Sequence, residues 1–174
     1  MSDDCVPFVR MEVTGVDDPE AGMGIVLYVA GCPRRCPGCQ NPSLQLTGNY
    51  AFIPVAAVVD YMDRFLEGKR VGKLIESVIF QGGDWAEYPE AYVVLARVAR
   101  GRNYRTVLYT GEYFENLPET VREVSDWVVD GPWEQDKPAL FPPSSNQRVF
   151  KRGRAVDPER LPLHKHLLGL VREA

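Results

Sequence analysis

Apolar positions along the chain follow two rhythms that take turns. Continuous β-rich runs at 25–30 (IVLYVA), 74–80 (LIESVIF), 105–109 (RTVLY) and 126–129 predict strands. Between the first two, Val55, Val58, Val59, Met62, Phe65 and Leu66 recur at helical spacing and predict a helix over 54–67. Pro54 suits its first turn and Gly68 its stop. A second helix is predicted over 89–100, closed by Gly101, and a short one over 117–124. Beyond Gly131 the rhythm loosens. Pro132, Pro138, Pro142 and Pro143 mark an irregular segment, after which 146–151 predicts a further strand and 161–171 a C-terminal helix.

Strands alternating with helices imply an α/β fold of right-handed βαβ units and a mostly parallel sheet. No internal repeat, low-complexity tract or shift in composition divides the chain, so 1–174 reads as a single domain. A closed (β/α)8 barrel takes roughly 250 residues. The 174 residues here leave room for part of one, an open barrel. In parallel α/β folds the carboxyl ends of the strands share one edge, and ligands bind there. The first predicted strand opens onto a cysteine loop, the second onto Gly82, Gly83 and Asp84, the third onto Thr110, Gly111 and Glu112, and the fourth onto Asp130, Gly131 and Pro132. These four loops are expected to converge on one site.

Charge narrows the function classes. Acids outnumber bases 24 to 20, for a formal net charge of −4, which argues against general nucleic-acid binding. No run approaches the roughly 18 apolar residues of a membrane span. The opening residues are acidic and lack the layout of a secretory signal. A cytoplasmic protein is the expectation, and in a reducing cytosol clustered cysteines bind metal or do chemistry more often than they form disulfides.

Three of the four cysteines, Cys32, Cys36 and Cys39, fall in one stretch, GCPRRCPGCQNP. A structural zinc site commonly needs four ligands, and the fourth would have to be distant Cys5, His164 or His166, or a carboxylate. An iron–sulfur cluster fits the spacing better. Three thiolates in one tight loop would leave one iron free for the molecule to be activated. Gly31 and Gly38 let backbone pass close to a cluster, and Pro33 and Pro37 stiffen the loop.

The spacing Cys32-x-x-x-Cys36-x-x-Cys39 resembles that of the radical S-adenosylmethionine (SAM) superfamily. GIVLYVAGCPRRCPGCQNP, QGGDW, LYTG, VVDGP and SSNQR follow in the order seen in activating components of anaerobic ribonucleoside-triphosphate reductase, across residues 24–150. The resemblance implies a partial, open radical SAM barrel, while the irregular region and C-terminal helix at 131–174 come from the sequence pattern and the end of the chain has no counterpart in the family. It implies a [4Fe-4S] cluster on Cys32, Cys36 and Cys39, and a SAM site formed by Gly38, Cys39, Gln40, Gly82, Gly83 and Asp84, with Asp130 toward the ribose or the substrate peptide. The cluster would pass one electron to the SAM sulfonium, giving methionine and a 5′-deoxyadenosyl radical that takes a hydrogen from a glycine of the partner. The implied partners are the large glycyl radical subunit of the reductase and a one-electron reductant such as flavodoxin, with no nucleic acid and no membrane.

Several residues depart from that pattern. Trp85 stands where the family usually has proline, Ala21-Gly-Met-Gly24 only loosely matches its entry to the first strand, and Gly38 replaces a common aromatic. Plainer readings stand beside the functional ones. Gly82-Gly83 and Asp130-Gly131-Pro132 are also good turn sequences. Arg34 and Arg35 read as solvated loop charges, His164 and His166 as surface residues, Trp127 and Trp133 as packing residues, and Cys5 as part of a mobile terminus without a role. Two other functions remain open: an activator of a different glycyl radical enzyme, of formate-lyase type, and a non-catalytic interaction module with a structural metal.

Overall fold

A computed structural model describes residues 5–67 and 74–173. Its framework is one open seven-stranded sheet in the order β2-β3-β5-β6-β7-β8-β9. The strands are β2 (Phe8–Thr14), β3 (Met23–Val29), β5 (Ile75–Gly82), β6 (Arg105–Tyr109), β7 (Trp127–Asp130), β8 (Arg148–Lys151) and β9 (Arg154–Val156). The central strands β3, β5, β6 and β7 are parallel, while β2, β8 and β9 join antiparallel. The sheet is therefore mixed, with the parallel centre that the mostly parallel prediction required and antiparallel strands at both edges, and it does not close into a barrel. A separate two-stranded ribbon pairs β1 (Cys5–Val6) with β4 (Ile53–Pro54). Cys5 thus lies in a paired strand rather than a mobile end.

The helices α1 (Val55–Glu67), α2 (Pro89–Gly101) and α3 (Glu119–Val124) connect strands that advance in one direction across the sheet. Right-handed crossovers taken always in the same direction place every helix on the same face. The side chains confirm this by alternating. Ile25, Leu27, Val29, Val78, Phe80, Leu108 and Val128 join Val58, Met62, Leu95 and Val121 of the helices in one core. Val26, Ile79, Val107, Trp127 and Val129 point the other way and meet Phe141 and Leu163. Leu163 belongs to α4 (Pro162–Glu173), so the C-terminal helix covers the second face. Strands buried on both faces explain the continuous apolar runs in the sequence.

Predicted and observed central elements agree to within two residues, and Gly68, the expected stop of α1, lies outside the described residues. The strands β2 and β9 escaped the pattern because they are edges with little to bury. Only Met11 of β2 is fully buried, and no residue of β9 is. Trp85 takes a place deep in the first core, edge-on to Phe80, and its indole N–H donates to Leu27 O at 2.9 Å and Gln81 O at 3.1 Å.

Tyr92 of α2 is fully buried against Phe80, its hydroxyl 2.6 Å from Ser125 Oγ. Burial pushes its phenol well above the usual tyrosine range. In the unfolded chain Tyr92 ionises near pH 10, as an ordinary tyrosine does. The stabilisation from burying it neutral is therefore complete below that pH and is lost as pH rises toward the folded-state value. Thermal melts between pH 9 and 11 are expected to fall less steeply for Tyr92→Phe than for the native chain. Parallel pH profiles would show that Tyr92 makes no such contribution.

Candidate functional site

The cysteine loop leaves the end of β3 and is stitched at once to its neighbours. Gly31 N donates to Leu44 O at 2.7 Å and Cys32 N to Gln45 O at 3.0 Å, so the loop folds back on the 3-10 turn Pro42–Leu44. From the adjacent strand, Gly83 N donates to Val29 O at 2.6 Å and Asp84 N to Gly31 O at 2.8 Å. The approach is so close that a Cβ on Gly83 would lie 2.7 Å from Gly31 N and 2.8 Å from Gly31 C. Gly31 itself has φ +95°, a left-handed conformation that glycine takes without strain. Gly-Gly at the end of β5 is thus a packing requirement as well as a turn.

Beside this junction lies a cleft of about 150 Å³. Cys32, Cys36 and Cys39 line it together with Gln40, Gly82 and Gly83. Thr110 and Gly111 from the end of β6 and Gly131 from the end of β7 complete the wall, so all four strand-end loops meet as the topology required. Each of the three cysteines is half-buried. Burial pushes the Cys32 thiol up, against the pull of the Arg34 backbone N–H and guanidinium. Gly38, Asp84 and Asp130 do not line the cleft. Gly38 packs on the side chain of Gln135, and the two aspartates stand behind the wall.

Asp84 is fully buried and binds four donors from three segments. Arg34 Nη1 reaches Oδ2 at 2.6 Å, Thr110 Oγ1 reaches Oδ1 at 2.8 Å, and the backbone N–H groups of Ala86 and Gly111 each donate at 3.0 Å. Burial pushes its carboxyl up against the opposing pull of Arg34. Arg34 also donates to Glu112 Oε2 at 2.6 Å and stands 3.6 Å from Glu87. This corrects the reading of Arg34 as a solvated charge. Asp130 is likewise fully buried, held by Arg148 and by the Phe114 backbone N–H at 2.7 Å.

The SSNQR stretch has a physical job. Gln147 Nε2 donates to Gly131 O at 2.9 Å and Asn146 Nδ2 to Pro132 O at 2.8 Å, while Ser144 pairs with Asn146 and Arg148 with Asp130. It ties the irregular segment back onto the fourth strand end. Trp127 is a buried packing residue as expected, whereas Trp133 lines the cleft. His166 is exposed, and His164 is half-buried with Nδ1 3.4 Å from Phe141 O. Sequence reasoning missed Asp17, Tyr109 and Gln81 as cleft residues. Tyr109 donates to Asp17 O at 2.8 Å and Gln81 Nε2 to Asp17 Oδ1 at 3.2 Å. The only signal for Tyr109 and Gln81 was their place at strand ends, and Asp17, in the turn after an unrecognised strand, offered none.

The donor set can be tested for fit. Among the described residues, no three Cys, His, Asp or Glu side chains are grouped to hold one metal ion. In a cubane cluster each thiolate takes its own iron, and three thiols lining one glycine-lined cleft are a donor set that suits it.

The chain belongs to the 4Fe-4S single cluster domain family, whose profile matches residues 20–150. It is also similar to the anaerobic ribonucleoside-triphosphate reductase-activating protein of Enterobacteria phage T4. The two are 26% identical over 137 residues, covering 74% of this chain and 84% of the relative. Both findings agree with the resemblance carried by the motifs. No helix among the described residues is long and apolar enough to cross a membrane.

Proposed function

We propose that this protein is a radical SAM activase that installs a glycyl radical on an anaerobic ribonucleotide reductase. The observation that carries the reading is the convergence of Cys32, Cys36 and Cys39 on one cleft with the Gly82-Gly83 strand end. The cysteines would hold a [4Fe-4S] cluster. When bound and reduced by a one-electron donor such as flavodoxin, it would supply the electron that splits SAM into methionine and a deoxyadenosyl radical, and that radical would abstract the glycine hydrogen.

The chain's own contribution is position and exclusion. Gly82 and Gly83 present bare backbone to the cleft, where the methionyl end of SAM can approach without a side chain in the way. Cys39 and Gln40 form the adjoining wall, with Gly38 one step further back. Asp84 and Asp130 act from behind the wall, where they fix the second, third and fourth strand ends to one another. A central parallel sheet with its three crossover helices on one face is compatible with part of a radical SAM barrel, read as one domain over 1–174. An open sheet can admit a loop of another protein, as glycyl radical installation requires, and the activity in the phage relative's name supports the reductase as that partner.

Electron paramagnetic resonance of the anaerobically reconstituted, reduced protein, before and after adding SAM, tests this reading together with iron and zinc analysis. A cluster signal that changes shape with SAM is expected. A protein that holds zinc and shows no such signal would overturn it.

A further inference from the structure

Arg34 is the one basic side chain among the described lining residues of the cleft. It sits between Cys32 and Cys36, yet its partners are 50 and 78 residues away, at the ends of β5 and β6. Its guanidinium bridges Asp84 and Glu112 with two short bonds of 2.6 Å, and its side chain is only 17% exposed. The path is built for it. A Cβ on Gly111 would press on Arg34 Cδ at 2.5 Å, so glycine at the end of β6 makes the room. Asp84 and Glu112 thus face the guanidinium with a carboxylate each and hold it in place.

A cation fixed beside a thiolate ligand stabilises the more negative, reduced state of the group that thiolate holds, and hydrogen bonding and charge near the sulfurs are among the factors that set cluster potentials. Two carboxylates on the same cation offset part of that effect. We propose that Arg34 is a positioning residue for the cysteine-held cluster: aimed by Asp84 and Glu112, it locks the cysteine loop to two strand ends and raises the cluster's reduction potential, with Glu112 moderating the rise. This inference rests on the cysteine loop being a cluster site.

The test is a potentiometric titration of the reconstituted protein, followed by electron paramagnetic resonance, with iron measured per chain. Arg34→Met leaves buried Asp84 uncompensated, and the midpoint is expected to fall, with less iron retained. Glu112→Gln keeps an oxygen for Arg34 to bond while removing one negative charge, and the midpoint is expected to rise at native iron content. A merely structural clamp would not move the two in opposite directions. Midpoints that stay put or shift the same way in cluster-bearing variants overturn the proposal. If Arg34→Met holds no iron, Glu112→Gln decides alone: an upward shift supports the proposal and any other result ends it. A wild-type protein that assembles no cluster would instead sink the site assignment itself.

Discussion

Cys36→Ala is expected to leave a folded chain that cannot retain an iron–sulfur cluster. The thiol is half-buried in the cleft and belongs to neither apolar core, and the one hydrogen bond its backbone makes in the loop, from Cys39 N to Cys36 O at 3.2 Å, does not need the side chain. Substitutions away from core, cap and buried polar features usually cost within about 0.5 kcal/mol. The thermal melt of the cluster-free protein should therefore match the native one. Anaerobic reconstitution should give a protein without the visible absorbance and iron content of the native sample. Cys5→Ala is the control, because Cys5 sits in the β1–β4 ribbon and does not line the cleft. Native iron content in Cys36→Ala would remove Cys36 from the ligand set, and with it the three-cysteine site.

Gly83→Ala is expected to damage both stability and cluster assembly. The added methyl would meet the Gly31 backbone, which cannot rotate aside as a side chain would. Relief requires the cysteine loop to lift away from β5, breaking the bonds from Gly83 N to Val29 O and from Asp84 N to Gly31 O. Overpacking a tight site costs about 1–3 kcal/mol. In a chain of this length each kcal/mol lowers the melting temperature by roughly 2–4 °C. Gly101→Ala, at a position with nothing within 4 Å, should change the melt little. The distinguishing measurement is iron retained per folded chain, which should fall in Gly83→Ala and hold in Gly101→Ala. A Gly83→Ala protein with native melt and native iron would show that the loop and strand end are not locked together.

The central strands and the helices α1 to α4 were legible in the chain because their signals are local. A strand buried on both faces must be apolar throughout, and a helix on one face must repeat its apolar residues every three or four positions. Val55 to Leu66 and 105–109 carry those patterns with no reference to anything distant. The meeting of four strand ends followed from topology alone, since parallel strands share a direction. The cysteine loop was legible for the same local reason, three thiols close together in one short stretch of chain.

Charge partners were not legible. Arg34 read as a solvated loop residue because nothing within a few positions of it is acidic, and Asp84 and Asp130 read as groups facing a ligand. Folding gave each a buried partner from a distant segment: Arg34 for Asp84, Arg148 for Asp130. The edge strands β2 and β9 were hidden as well, because an edge buries too little to impose a pattern. Periodicity along the chain records which side of an element is covered, and so the residues themselves settle the elements and where the thiols sit. Which cation stands beside those thiols, and which carboxylates restrain it, depends on contacts across tens of residues that only the packed sheet brings within hydrogen-bonding distance.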